Sequence, residues 1–205
     1  VALSAGVVRE WLAPSLEGAG FRRKGRSGTW LRQANTLVHI VNFEQRAERL
    51  LTQWGVLDPA LIPMLWPEQP ADASERVAYS FMTGWLERLP GTALQTPPLQ
   101  GGPELQLIRE DLRVAARWLS TFAQRRAACE YLLAEQKPTD RRGFIVPSML
   151  PLKLTTCAFL SAVSGESSAA ALAHKALTAT EIFGDVGLSG HRRRQLRAIA
   201  AGADA

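Results

Sequence analysis

The chain has 205 residues, 46% of them hydrophobic and 21% charged, enough apolar material for a packed core and too much for intrinsic disorder. Its net charge is +5 and its pI about 9.8, which favours anionic partners as a class: nucleic acid, phosphate groups or an acidic protein. Only two cysteines are present, Cys129 and Cys157, too few for a disulfide framework and without the spacing of a metal site.

The charge is uneven. Residues 1–57 carry a net +4, residues 58–100 a net −3 and residues 101–205 a net +4. Of the basic residues 20 are Arg and 4 are Lys, a bias that fits a GC-rich bacterial genome and also suits bidentate contacts to phosphate or carboxylate.

Residues 4–19 read as the first helix. Val7, Val8, Trp11, Leu12 and Leu16 recur at helical spacing, Ser4 is placed to cap the start, and Pro14 falls inside. Gly18 and Gly20 mark its end, with Gly20 in the left-handed C′ position and Phe21 folding back on the core. Arg22, Arg23, Lys24 and Arg26 follow, with Gly25 and Gly28 among them; so many charges together cannot be buried, and the stretch reads as an exposed loop.

Two strands come next. Thr29 to Gln33 puts Trp30 and Arg32 on one face, and Ala34-Asn35 reads as the turn. Leu37 to Phe43 is the most strand-like run and is apolar on both faces, as an interior strand would be. Its period places Leu37, His39, Val41 and Phe43 on one side and Val38, Ile40 and Asn42 on the other. Leu50 to Leu57 is a third candidate strand, with helix as the alternative and a bulge expected at Gly55. Residues 58–75 hold Pro59, Pro63, Pro67 and Pro70 and read as a connection anchored by Met64, Leu65 and Trp66. Val77 to Leu89 alternates like a fourth strand in its first half and reads as a short helix in its second.

Residues 90–103 are rich in Pro and Gly and form a linker. Pro103 then stands at the first position of a helix whose apolar stripe is Leu105, Ile108, Leu112, Ala115 or Ala116, and Leu119. Ser120 is a fresh cap for a helix running to about Glu135, with Phe122, Cys129, Leu132 and Leu133 turned inward. Residues 137–147 form a loop. Ser148 caps a helix ending at Gly165, a second helix spans 168–183 and stops at Gly184, and Ser189 caps a last, basic helix ending at Gly202. Phe144 to Val163 is long enough to span a bilayer, but Pro147, Pro151 and Lys153 mark it as a buried core helix.

The expected fold is therefore α+β: a small antiparallel sheet of three to four strands, packed by an N-terminal helix and followed by a five-helix C-terminal region. Residues 1–100 form the α+β domain and residues 101–205 a helical extension packed on it. The N-terminal stretch has neither the basic start nor the long apolar run of a signal peptide, and free thiols suit a reducing interior, so the expected location is cytoplasmic.

Residues 7 to about 135 resemble a bacterial domain family of unknown function, number 4304 in its series. The resemblance rests on the helix ending in Leu16, Gly20 and Phe21, and on the basic loop of Arg23, Lys24, Gly25 and Arg26. It continues through the strand opening at Trp30, the Val41-Asn42-Phe43 strand and a strand ending in Gly55-Val56. Glu44 separates that second strand from Gln45, where the family has Gln directly. The resemblance implies a fold and no activity. Separately, Ala158 to Leu177, with Gly165 at the turn and Ala169, Ala170 and Ala171 in the second helix, looks like one helical hairpin of the tetratricopeptide kind.

No G-x-S-x-G, H-E-x-x-H, phosphate-cradling P-loop or G-x-G-x-x-G is present, and His39, His174 and His191 are scattered away from ligand partners. No cofactor, metal or catalytic residue is expected, and the reading is of a non-enzymatic binding module. Arg22, Arg23, Lys24, Arg26 and Arg32 would hold nucleic acid or another polyanion, with Trp30 as a stacking face. A plain solvated loop is the competing reading. Arg192, Arg193, Arg194 and Arg197 form a second basic patch that also suits a helix C-terminus, and Arg109, Arg113 and Arg117 a third stripe at i, i+4 and i+8. A scaffold role for the helical region, binding a protein partner between helices 148–164 and 168–183, is one alternative. An enzyme built on His39, Asn42 and Glu44 is the other.

Overall fold

The computed structural model describes residues 5–25, 28–46, 49–68, 80–85, 103–134, 149–183 and 188–202. The expectations for Ser4, Arg26, Ser148, Gly184, most of the 69–102 stretch and the 137–147 loop lie outside the described residues, as do the side chains of Val7, Val8, Glu44, Leu105 and Ile108.

The first helix, α1 (Ala5–Gly18), buries Leu12 and Leu16 and contains Pro14. It ends in a Schellman turn. The Phe21 amide donates to Leu16 O at 2.9 Å and the Gly20 amide to Glu17 O at 2.8 Å, which satisfies two carbonyls the helix would otherwise leave open. Gly20 has φ +82°, a conformation that side chains resist, and Phe21 tucks down into the core beside Leu16.

The sheet has five antiparallel strands in sequence order: β1 (Arg22–Arg23), β2 (Thr29–Ala34), β3 (Leu37–Arg46), β4 (Arg49–Leu57) and β5 (Met82–Trp85). The order confirms β3 as an interior ribbon, paired with β2 on one side and β4 on the other. It corrects the smaller sheet expected from sequence. Arg22 and Arg23 are not loop; they pair with Leu31 and Trp30 as a two-residue edge strand, because an arginine can join a ladder while its charge stays in water. The hairpin turn is also one residue later than Ala34-Asn35. Ala34 and Leu37 pair, leaving Asn35 and Thr36 in the turn, and Asn35 takes φ +52°, which asparagine tolerates.

β4 is a strand, and its register runs through Gly55 without the expected bulge. The glycine is needed for another reason. A Cβ there would stand 2.5 Å from Ser80 Cβ and 3.0 Å from Met82 O, so the backbone makes room for the chain entering β5. Of the segment read as strand then helix, Met82–Trp85 is strand, and residues 77–79 and 86–89 lie outside the described residues.

Alternation along the strands creates two cores. Trp30, Leu37, Val41, Phe43, Trp54, Val56 and Met82 join the main cluster with α1 and the later helices. Ile40 and Leu57 point to the other face, where Ile62 covers them beside Leu31 and Val38. After β4 a 3-10 turn (Pro59–Leu61) and the one-turn helix α2 (Ile62–Leu65) serve both faces: Leu61, Met64 and Leu65 enter the main cluster and Ile62 the second.

Among the described residues five more helices follow: α3 (Pro103–Ser120), α4 (Arg125–Leu133), α5 (Leu150–Val163), α6 (Ala169–Phe183) and α7 (Gly190–Ala200). Pro103 opens α3 as expected. Ser120 does not cap the next helix; its hydroxyl donates back to Ala116 O at 2.7 Å and Gln124 is the residue before α4. Leu133 is exposed rather than inward, while Phe122 and Leu132 are buried. Every residue from Leu154 to Ser161 is buried, so α5 is apolar all round because helices surround it. Its buried Thr155 donates to Pro151 O at 2.7 Å, as Thr180 in α6 does to Ala176 O at 2.8 Å, so neither hydroxyl is left unsatisfied. No described helix is long and apolar enough to cross a membrane. The α5–α6 seam is packed by fully buried Ala158, Ala173 and Ala176, and Gly165 at its turn has φ +67°.

Candidate anion-binding cleft

The basic residues of the hairpin divide into two sets. Arg22, Arg23 and Lys24 are exposed along the free side of β1. Arg22 and Arg23, with Glu17, Gly20 and Phe21, line a hollow of about 410 Å³. Trp30 is not beside them as a stacking face. It is 2% exposed, because the pleat that sends Arg32 toward the helices sends Trp30 the same way. Arg26 lies outside the described residues.

Arg32 turns inward and is the best-anchored of the expected binding residues. Its Nη1 donates to Ala19 O at 2.9 Å and its Nη2 to Ala116 O at 3.2 Å, which ties the end of α1 to α3. Its Nε lies 3.2 Å and its Nη2 2.9 Å from His39 Nδ1, and its guanidinium stacks over the Phe21 ring at 4.6 Å. Burial lowers its pKa. Among the described residues every partner of Arg32 is neutral.

The third stripe, on α3, completes the site. Arg32, Arg109, Arg113 and Arg117 line one cleft of about 710 Å³ between α1 and α3. Pro14, Leu16 and Ala19 form its α1 wall, and Leu112 and Ala116 its α3 wall. Arg109 donates from Nε to Ser15 Oγ at 2.7 Å and lies over the Trp11 ring at 5.5 Å, so it too is held by neutral groups. No carboxylate is among the described lining residues. The i, i+4, i+8 spacing carries the three α3 arginines along roughly 12 Å of helix. Gly18 and Ala19 border the cleft, and Glu17, Gly20 and Phe21 border the hollow beside β1, so the two basic sets meet at one turn.

The α7 patch is a separate feature and only part of it is open. Arg192 is half-buried, donating from Nε and Nη2 to Leu65 O at 3.3 and 3.2 Å and lying 5.7 Å from the Trp66 ring centre. It closes the end of α2, and burial lowers its pKa. Arg193 is half-buried, and Arg194 and Arg197 are exposed.

Sequence reading missed an ion pair altogether. Asp58, fully buried, accepts from Arg125 Nε at 2.5 Å and Nη2 at 3.1 Å, and also caps the 3-10 turn by accepting from the Ala60 amide at 3.0 Å. Arg125 Nη1 donates to Val163 O at 3.1 Å. One side-chain pair thus joins β4, α4 and the end of α5. An Asp before a Pro after a strand is a legible cap signal; an arginine 67 residues away is not.

Of the residues considered for catalysis, His39 and Asn42 do not converge, and the side chain of Glu44 lies outside the described residues. His39 is buried on the core face, its Nε2 2.9 Å from Phe122 O, while Asn42 is on the opposite face, accepting from Thr29 Oγ1 at 3.1 Å. Among the described residues no group of three metal-ligating side chains gathers. No family profile, curated protein or solved structure matches the chain.

Proposed function

We propose that this protein is a non-enzymatic binding module for a polyanion, with nucleic acid as the leading class. The polyanion lies across the α1–α3 cleft and runs out toward the edge strand β1. The carrying observation is that Arg32 and Arg109 are fixed in the cleft wall by carbonyls, a hydroxyl, an imidazole and aromatic rings, with Arg113 and Arg117 beside them. Preformed guanidinium forks lose little freedom on meeting phosphate, and charges held by neutral groups remain available to an anion.

A compact anion would meet one or two of these arginines. A ligand with charges repeated over the length of the α3 stripe meets them all, and Arg22, Arg23 and Lys24 extend the same surface. The described lining holds no exposed aromatic ring, so recognition rests on backbone charge rather than on base stacking.

The test is retention of a labelled single-stranded oligonucleotide across a salt series, for the natural protein and for Arg113→Glu with Arg117→Glu. Binding should weaken with salt, and the double variant should lose most retention and about 1.4 units of salt slope. Absent binding, or equal binding by both proteins, overturns the reading; a preference for an acidic protein over oligonucleotide redirects it to that partner.

A further inference from the structure

Cys129 on α4 and Cys157 on α5 stand opposite one another across the helix seam. Cys129 Sγ lies 3.8 Å from Cys157 O, and Cys157 Sγ lies 3.8 Å from Cys129 O. That reciprocity requires the two residues to face each other at the same level. The level is set by the Arg125–Val163 contact one turn away at the start of α4, where the helices run antiparallel. Both thiols are free. Cys157 is completely buried, whereas Cys129 is partly exposed, so Cys129 is the one nearer to solvent.

We propose that Cys129 and Cys157 form an oxidisable dithiol that closes to a disulfide stapling α4 to α5. The two sulfurs are differentiated for this. The neighbouring Cys157 holds the Cys129 thiol below its ordinary value, and the neighbouring Cys129 together with burial pushes Cys157 up. Cys129, the less buried of the two, is the one placed to meet an oxidant as its thiolate. With a peroxide as oxidant, Cys129 sulfur attacks one oxygen, the O–O bond breaks, and Cys129 becomes a sulfenic acid while hydroxide leaves. Cys157 sulfur then attacks Cys129 sulfur, the S–O bond breaks, and water leaves with the Cys157 proton. One peroxide is reduced and two thiols are oxidised.

Exposure of the folded, reduced protein to hydrogen peroxide, followed by thiol counting in denaturant and intact-mass measurement, tests this. The expected product is a monomer about 2 Da lighter with no free thiol, giving a Cys129–Cys157 crosslinked peptide on non-reducing digestion. Cys157→Ser should instead leave Cys129 as a sulfenic acid that dimedone captures. The proposal is overturned if the natural protein keeps both thiols. It is equally overturned if Cys129 is over-oxidised while Cys157 stays free, or if the only disulfides join two chains. Wild-type protein suffices for each of these outcomes, so a poorly folding variant does not decide it.

Discussion

The imidazole of His39 accepts from the guanidinium of Arg32: Nδ1 lies 2.9 Å from Nη2 and 3.2 Å from Nε, while Nε2 lies 2.9 Å from Phe122 O. A ring that accepts from a cation at Nδ1 is neutral, so Nε2 carries the proton and donates to the carbonyl. Burial and the neighbouring Arg32 charge pull the His39 pKa from 6.5 down to about 4, against the opposing effect of the Phe122 bond. Between those values the unfolded chain binds a proton that the folded one refuses. Stability should be complete above about pH 6.5 and should fall as pH drops toward 4, by at most about 3 kcal/mol from this residue. Urea denaturation at stepped pH should show that loss in the natural protein and a smaller one in His39→Gln. Parallel pH profiles for the two would sink the assignment.

Asp58 and Arg125 hold three elements with one fork, the carboxylate fully buried and the guanidinium partly exposed. Asp58→Ala strands the guanidinium and uncaps the 3-10 turn, and should cost roughly 3–5 kcal/mol by chemical denaturation. Adding Arg125→Leu should recover part of that loss, since an unpaired, largely desolvated charge is worse than none. Additive losses would show that the two side chains act independently.

Gly55 is required by proximity to Ser80 and not by its own backbone angle. Gly55→Ala should destabilise by about 1–3 kcal/mol. Combining it with Ser80→Gly should restore part of the stability, because the clash is with that side chain. A full loss in the double variant would place the cause in the Met82 backbone instead.

Arg22, Arg23 and Lys24 have two separable roles. Short, charged edge strands resist pairing with other chains, and the same charges extend the proposed binding surface. Arg23→Glu with Lys24→Glu keeps the edge charged and should weaken oligonucleotide retention without promoting association. Arg23→Thr with Lys24→Thr should weaken retention and also increase light scattering at high concentration. Unaltered retention in both would remove β1 from the binding surface and leave the α3 stripe alone.

The α3 stripe was legible as a stripe, because i, i+4, i+8 spacing needs only one helix. That Arg32 joins it was not, since β2 and α3 meet only in the packed fold, where Arg32 itself reaches Ala116 O and α1 contacts both β3 and α3. Trp30 shows the converse error. An aromatic beside a basic loop reads as a stacking surface, yet strand alternation puts it on the side that the helices cover.

Local chemistry in the chain determined what is local in the protein: the left-handed glycine that ends α1, the interior character of Leu37–Phe43, the proline that opens α3 and the serine that caps α7. Each depends on a few neighbouring residues and their backbone preferences. Tertiary structure alone decided which charges are neutralised, since Asp58 reaches Arg125 while Arg32 is left among carbonyls and an imidazole. Charge pairing depends on distances between segments far apart in the chain, and only the packed core sets those distances.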